Sequence, residues 1–261
     1  ERNNFSLSFA VAQKEPTRSD FTDRYKFAAD DTYPSSEKLY DWELGYQYTA
    51  PRLSLGVNLY YMKYKDQLVP TGMVNDGSDA LNTNVSDSYR RGVELSASWR
   101  ATGWFTVGAN ATFSQNRIEN YVDALKDSPT YGKELGDMTI AYSPDVIANA
   151  FLNFHHRGFE AVFHTQHVGK QYFTNNENDA LSLDAYCVTN LNLAYTFRTR
   201  SARSVRLGLL INNLFNAEYE SNGYGYSYMD TWSGPAPVRI DEAYYFPQAP
   251  LNVLANVTVK F

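Results

Sequence analysis

Apolar and polar residues alternate with a period of two through most of this chain. Phe5, Leu7, Phe9 and Val11 interleave with Ser6, Ser8 and Ala10, and Trp42, Leu44, Tyr46 and Tyr48 with Glu43, Gly45 and Gln47. The same dyad runs from Leu53 to Tyr61, from Val93 to Arg100 and from Phe105 to Ser114. It returns over Ala148 to Phe154, Phe159 to His164, Leu191 to Phe197, Val205 to Asn212 and Val253 to Phe261. Each run has one apolar and one polar side, the signature of a strand with two unlike faces. The pattern predicts about ten strands and no convincing helix.

The connections separate a soluble sandwich from a membrane barrel. Short turns are expected near Ala50-Pro51-Arg52, Ala101-Thr102-Gly103, His156-Arg157-Gly158 and Thr199 to Arg203. Between them fall long polar segments, roughly 15–38, 68–87, 119–142, 174–184 and 218–249. Strict alternation of short and long links is a habit of outer-membrane barrels, whose periplasmic turns are tight and outward loops long. Beside the short turns sit Tyr48, Trp99, Phe105, Phe154, Phe159 and Phe197. Near the long loops sit Tyr40, Tyr61, Tyr64, Tyr172, Tyr219, Tyr244 and Tyr245. Two aromatic belts around an aliphatic band suit rings that prefer the headgroup level. The expected fold is therefore all-β, a transmembrane antiparallel β-barrel with short turns in the periplasm and Phe261 at the periplasmic rim.

Composition sharpens this reading. The chain has 261 residues, 21 of them Tyr, and aromatics make up 15%. Mean hydropathy is nevertheless −0.47, and no window approaches 18 consecutive apolar residues, so a helical membrane span is excluded. A net charge of −6 without a basic face argues against nucleic acid as a partner. Cys187, the single cysteine, has no partner for a disulfide and is expected as a buried thiol. The chain starts at Glu1 without an initiator Met or signal peptide, as a processed chain or a piece of a longer one does.

Several segments resemble a known family. The terminal strand, apolar at every second position back from Phe261, resembles the signal read by the bacterial barrel-assembly machinery. Ile211-Asn212-Asn213-Leu214-Phe215-Asn216-Ala217-Glu218-Tyr219, read as the preceding strand, resembles the penultimate-strand motif of TonB-dependent outer-membrane receptors. So do Glu15-Pro16-Thr17-Arg18 followed by Asp20-Phe21 and then Trp42-Glu43-Leu44-Gly45-Tyr46, and the stretch Tyr89-Arg90-Arg91-Gly92-Val93-Glu94-Leu95. The resemblance implies a 22-stranded barrel filled by an N-terminal plug, of which residues 1–261 are the last ten strands or so. It implies import of a scarce nutrient, most often an iron chelate such as a siderophore or haem, with a glycan or peptide as the alternative. It also implies outer-membrane lipid as surroundings and the inner-membrane TonB complex as a partner, engaged through a plug outside this chain. No cofactor is implied.

Candidate chemistry concentrates in the last long loop. Tyr224, Tyr226 and Tyr228 alternate with small residues, and Trp232 follows. Flat amphipathic rings there suit a ligand with exposed rings or sugar faces. The competing reading is that these rings extend strands above the membrane and pack on one another. Arg239 in the same loop is placed either to meet an anionic chelate or to pair with Asp241 or Glu242. His155 and His156 sit beside a short turn, and His164 and His167 are an odd offset apart on opposite strand faces, so no metal site is expected from them. Asp76-Gly77-Ser78-Asp79 lacks the further oxygen ligands of a calcium loop. A ten-stranded outer-membrane protease would start and end as this chain does, but it needs acids and a histidine gathered at the outward rim. Asp30-Asp31 and His167 are not brought together by any spacing, so no enzyme is expected. A passive porin and a soluble lectin-like sandwich also share parts of this strand pattern, and both compete with the transporter reading.

Overall fold

The computed structural model describes residues 2–27, 33–74 and 80–261. Asp30-Asp31 and the Asp76-Gly77-Ser78-Asp79 turn lie outside the described residues. In chain order the strands are β1 (Arg2–Lys14), β2 (Glu37–Thr49), β3 (Leu53–Val74), β4 (Ala80–Arg100), β5 (Phe105–Ile118), β6 (Met138–Thr139), β7 (Val146–His156) and β8 (Phe159–Val168). There follow β9 (Gln171–Tyr172), β10 (Ser182–Leu183), β11 (Tyr186–Phe197), β12 (Ser204–Asn212), β13 (Glu220–Asp230), β14 (Val238–Pro247) and β15 (Asn252–Lys260). Ten of them pair in the antiparallel order β1-β2-β3-β4-β5-β7-β8-β11-β12-β15, with β6 added at the end of β5. Among the described residues β1 and β15 do not pair with each other, so the sheet is open.

The dyad pattern explains why these segments are strands and which way they face. Register aligns Leu7, Leu44, Leu59, Val93 and Phe113 in one row, and Leu53, Trp99, Val107, Leu152, Phe163, Leu191, Ile211 and Val253 in another. These rows form one apolar face, and among the described residues nothing packs on it: Leu7 is 81% exposed and Val257 66%. A soluble sandwich would bury such a face against a second sheet. The opposite face is polar and cross-linked. Asn58 Nδ2 donates to Glu43 and Glu94 at 3.4 and 3.2 Å, Asn149 donates to Asn110 at 3.2 Å, and Asn212 donates to Asn252 at 2.9 Å. On the apolar face the Thr165 and Thr189 hydroxyls satisfy each other at 2.9 Å.

Tight turns join one end of the sheet. Arg157 and Gly158 both have positive φ, 48° and 85°, the twist that two-residue hairpins require. Aromatic rings flank these turns, with Phe105 and Phe154 stacked at 4.6 Å and Tyr195 and Phe197 at 5.8 Å. The second belt runs Phe9–Trp42 at 5.1 Å, Trp42–Tyr61 at 5.8 Å and Tyr61–Tyr89 at 6.3 Å. Tyr40 and Tyr61 belong to it. Tyr64 does not, because it sits three positions from Tyr61 and so on the polar face. Tyr172, Tyr244 and Tyr245 lie in the outward assembly instead, on β9 and β14, and Tyr219 there stacks on Tyr186 at 4.7 Å.

The long-loop end departs from expectation in four places. A helix, α1 (Arg18–Phe27), stands where none was expected. Its start carries a capping arrangement, in which the Asp20 carboxylate accepts from the Thr17 amide and hydroxyl, both at 2.7 Å. Segment 68–87 is largely paired strand rather than loop, since Gln67 to Pro70 face Val85 to Asn82. Above a membrane a strand needs no apolar side, so its polar composition read as a loop. Residues 213–219 are not a strand, because β12 stops at Asn212. Asn213 has φ of 51°, and its side-chain amide accepts from the Ala217 amide and donates to the Ala217 and Ala249 carbonyls, turning the chain out of the sheet. Finally, Cys187 is exposed on the apolar face rather than buried.

Burial is concentrated at this same end. One cluster joins Val69, Val85, Ile118, Tyr121 and Ile140, and a second joins Phe173, Leu181 and Leu183. Among the described residues the best-buried part is therefore the long-loop assembly at that end of the sheet.

Candidate functional site

The last long connection folds into a hairpin of its own, β13 with β14, that leaves the main sheet. Register sets Tyr224 opposite Tyr244, Tyr226 opposite Glu242 and Tyr228 opposite Ile240. The two-residue period then puts Tyr224, Tyr226, Tyr228, Glu242, Tyr244 and Phe246 on one face. The other face holds Gly223, Gly225, Ser227, Arg239, Asp241 and Ala243. That second face is docked. Gly223 and Gly225 let the Phe173 ring come so close that an added Cβ would stand 2.8 Å from it at either position, and Phe173 is only 2% exposed.

The aromatic face is built around one carboxylate. Glu242 accepts hydrogen bonds from Tyr226 at 2.6 Å, Tyr244 at 2.8 Å and Tyr228 at 3.3 Å. Tyr224 and Tyr244 stack at 4.9 Å with their planes 15° apart. The hydrogen bond to Glu242 and that group's negative charge push the Tyr226 hydroxyl far above the ordinary tyrosine range. The bonds from Tyr226 and Tyr244 hold the Glu242 carboxyl below its usual range, so it is ionised at neutral pH.

Of the five residues that the sequence singles out, Tyr224, Tyr226 and Tyr228 share this face. Trp232 does not join them: it is 79% exposed at the hairpin tip, where Asp230 accepts from the Trp232 and Ser233 amides at 3.1 Å each. Arg239 lies on the docked side, donating to Asp241 at 2.8 Å and to Ser227 at 3.0 Å, so it is paired within the hairpin and turned away from the rings. The rings also pack on one another, as strands extended above the membrane would have them do. Sequence reasoning missed Glu242 and Tyr244 as members of the cluster. Their signal was the Glu-x-Tyr spacing that a hairpin tip near Gly234 brings opposite Tyr-x-Tyr-x-Tyr.

Other places offer less. A cleft of about 710 Å³ lies between α1, β4 and the loop after β5, lined by Asp20, Asn82, Asn84, Tyr121 and Asp123 among others. His164 and His167 do lie on opposite faces, opposed across β11 by Asn190 and Cys187. Among the described residues no group of three or more His, Cys, Asp or Glu is placed to hold a metal ion, and no helix is long and apolar enough to cross a membrane.

An open antiparallel sheet with one bare apolar face, two aromatic belts and alternating link lengths defines a segment of membrane-spanning β-barrel. The family model described as TonB dependent receptor-like, beta-barrel, matches residues 3–214, and the chain belongs to that family. The pesticin receptor of Yersinia enterocolitica is 24% identical over 190 residues, 72% of this chain and 26% of that protein. Among solved structures, the ferric yersiniabactin uptake receptor FyuA of Yersinia pestis superposes with a TM-score of 0.66 at 19% identity, over 99% of this chain and 35% of that one. The copper transporter OprC gives 0.68 at 18% identity, over 99% and 37%. The chain thus spans about a quarter to a third of the length of the relatives it matches first.

Proposed function

We propose that this chain is the C-terminal portion of the barrel of an outer-membrane active transporter that imports an iron chelate. The β13–β14 hairpin is its outward capture element. The carrying observation is the exposed face of Tyr224, Tyr226, Tyr228 and Tyr244 around Glu242, fixed on a docked hairpin. Rigid aromatic anchors supply large contact area at little entropic cost, and long outward loops on a rigid scaffold are where binding residues gather. The names of several relatives, a ferric yersiniabactin uptake receptor and a siderophore receptor among them, support iron over other nutrients.

In this reading the bare apolar face meets outer-membrane lipid, the polar face meets a plug, and the remaining strands of a 22-stranded barrel complete the two open edges. Unpaired edges in lipid cost several kcal/mol for each unsatisfied group, which favours completion by further strands. Energy would come through the plug from the TonB complex, and no catalytic step is involved. The test is uptake of ferric chelates by cells expressing the whole coding sequence, with Tyr224, Tyr226 and Tyr228 changed together to Ala. We expect at least a tenfold loss of chelate affinity with normal surface expression. Unchanged affinity in a well-folded triple variant retires the hairpin as the capture element, and uptake of glycans or peptides instead of iron retires the chelate.

A further inference from the structure

Four hard oxygen donors converge on the outward face of the hairpin. The Tyr226 and Tyr244 hydroxyls share one oxygen of Glu242, at 2.6 and 2.8 Å, and Tyr228 reaches the other at 3.3 Å. The Tyr226 and Tyr244 rings stack with their centroids 6.3 Å apart. A small hard cation in octahedral coordination holds oxygens at about 2.0–2.1 Å, which spaces adjacent ligands about 2.9 Å apart. The Tyr226 and Tyr244 distances to their shared Glu242 oxygen lie close to that spacing, and Tyr228 stands farther off, on the other oxygen.

We propose that Tyr226, Tyr228, Tyr244 and Glu242 form a ferric-ion site that coordinates the metal directly. Choice of iron among trivalent ions rests on the import reading above. Choice of a trivalent over a divalent ion rests on the donors themselves. A trivalent ion best balances a carboxylate and three phenolates gathered on one face, whereas Mg²⁺ keeps several waters and is bound through one or two carboxylates. On binding, each phenol O–H breaks with the electron pair kept by oxygen, the oxygen donates that pair to iron, and the proton leaves to water. Glu242 is already ionised, and iron stays ferric throughout. Four protein donors leave two of six positions for water or for donors of the arriving chelate.

The surroundings suit a cation. β13 and β14 carry one positive side chain, Arg239, and it faces the other way, held by Asp241 and Ser227. Asp230 at the tip and Tyr224 beside Tyr244 are the remaining titratable neighbours on or near the face, and neither brings positive charge. The face is open to solvent while its back is packed on Phe173 and Leu181, so the donors are both reachable and held.

The experiment is a titration of the purified protein, expressed from its whole coding sequence and kept in detergent, with ferric nitrilotriacetate. Expected is the visible charge-transfer absorption of a ferric phenolate, saturating at one iron per protein and strengthening as pH rises, because binding releases protons. Tyr226→Phe with Tyr244→Phe keeps the ring faces and should abolish the band. Glu242→Gln should weaken iron binding at least tenfold, and Tyr219→Phe, a phenol outside the cluster, should leave it intact. No band in the unaltered protein, or an equal band in the double Phe variant, overturns the site. Cellular uptake separates the two proposals: ferric chelate imported without a band leaves import standing alone, and a band without uptake leaves only the metal site.

Discussion

Arg206 donates two parallel hydrogen bonds of 2.8 Å to Glu160, reaching from β12 to β8 across the whole width of β11. Ala194 lies on β11 directly opposite Glu160 and is only 5% exposed. A small side chain there is what lets the bridge close over it. Exposed ion pairs contribute about 0.2–1 kcal/mol, whereas overpacking costs about 1–3 kcal/mol. Ala194→Leu should therefore destabilise the barrel more than Glu160→Ala, measured by urea unfolding of the protein in lipid vesicles. The reverse order would mean that Ala194 does not lie beneath the bridge.

Leu209 and Asn212 test the register of the last strands. Leu209 faces the apolar side between Leu193 and Ala255, and Asn212 faces the polar side bonded to Asn252. Arg at Leu209 should cost about 2–4 kcal/mol near the bilayer midplane. Arg at Asn212 should cost far less, since its side chain enters the polar interior. Heat-dependent mobility in SDS reads both, and equal shifts would place the strand one residue out of register.

The membrane made most of the sheet legible, because lipid on one side and water on the other force the dyad pattern onto every strand. Where the bilayer ends, that pressure ends. The polar run after Gln67 is therefore strand, although nothing in its composition demanded it. The helix at Arg18 was announced by Thr17 and Asp20 at capping distance, a local signal hidden by the absence of an apolar stripe. Asn213 looked like strand because Ile211, Leu214 and Phe215 surround it, and only its contacts with Ala217 and Ala249 show it turning the chain. The Tyr-x-Tyr-x-Tyr run was visible at once. Glu242 was not, since its place depends on pairing with Tyr226 across sixteen residues of hairpin.

Acid should loosen the loop between β8 and β11. Burial pushes the Glu177 carboxyl up, but hydrogen bonds from the Thr139 hydroxyl and its amide, the latter at 3.0 Å, and the Arg117 charge outweigh burial and hold it below the usual range. A depressed carboxyl stabilises the folded form fully above its unfolded value, about 4.3, and loses that contribution as pH falls through the lower folded value. Hydrogen exchange at the Thr139 amide should thus accelerate below about pH 4 relative to pH 7 beyond the intrinsic pH effect. Glu177→Gln should remove that excess, and an excess that survives the substitution would point to another group.

Docking of the outward hairpin should depend on a single ring. A Cβ at Gly225 would stand 2.8 Å from Phe173 and 2.9 Å from Leu181, closer than real carbons approach. Gly225→Val should therefore push the hairpin off its platform, exposing 219–247 to protease while the heat-modified mobility of the barrel stays normal. Gly234→Ala at the tip, where the nearest atom is the Ala236 carbonyl at 4.0 Å, should change neither. Phe173→Ala alone should also loosen the hairpin, because it empties the centre of the Phe173, Leu181 and Leu183 cluster. Combined with Gly225→Val it should cost less than the two changes summed, since the valine then occupies space the ring has left. Residues in contact couple by about 0.5–3 kcal/mol in such cycles. Strict additivity in the protease assay would show that Phe173 and Gly225 do not meet, and that something other than this contact holds the tyrosine face in place.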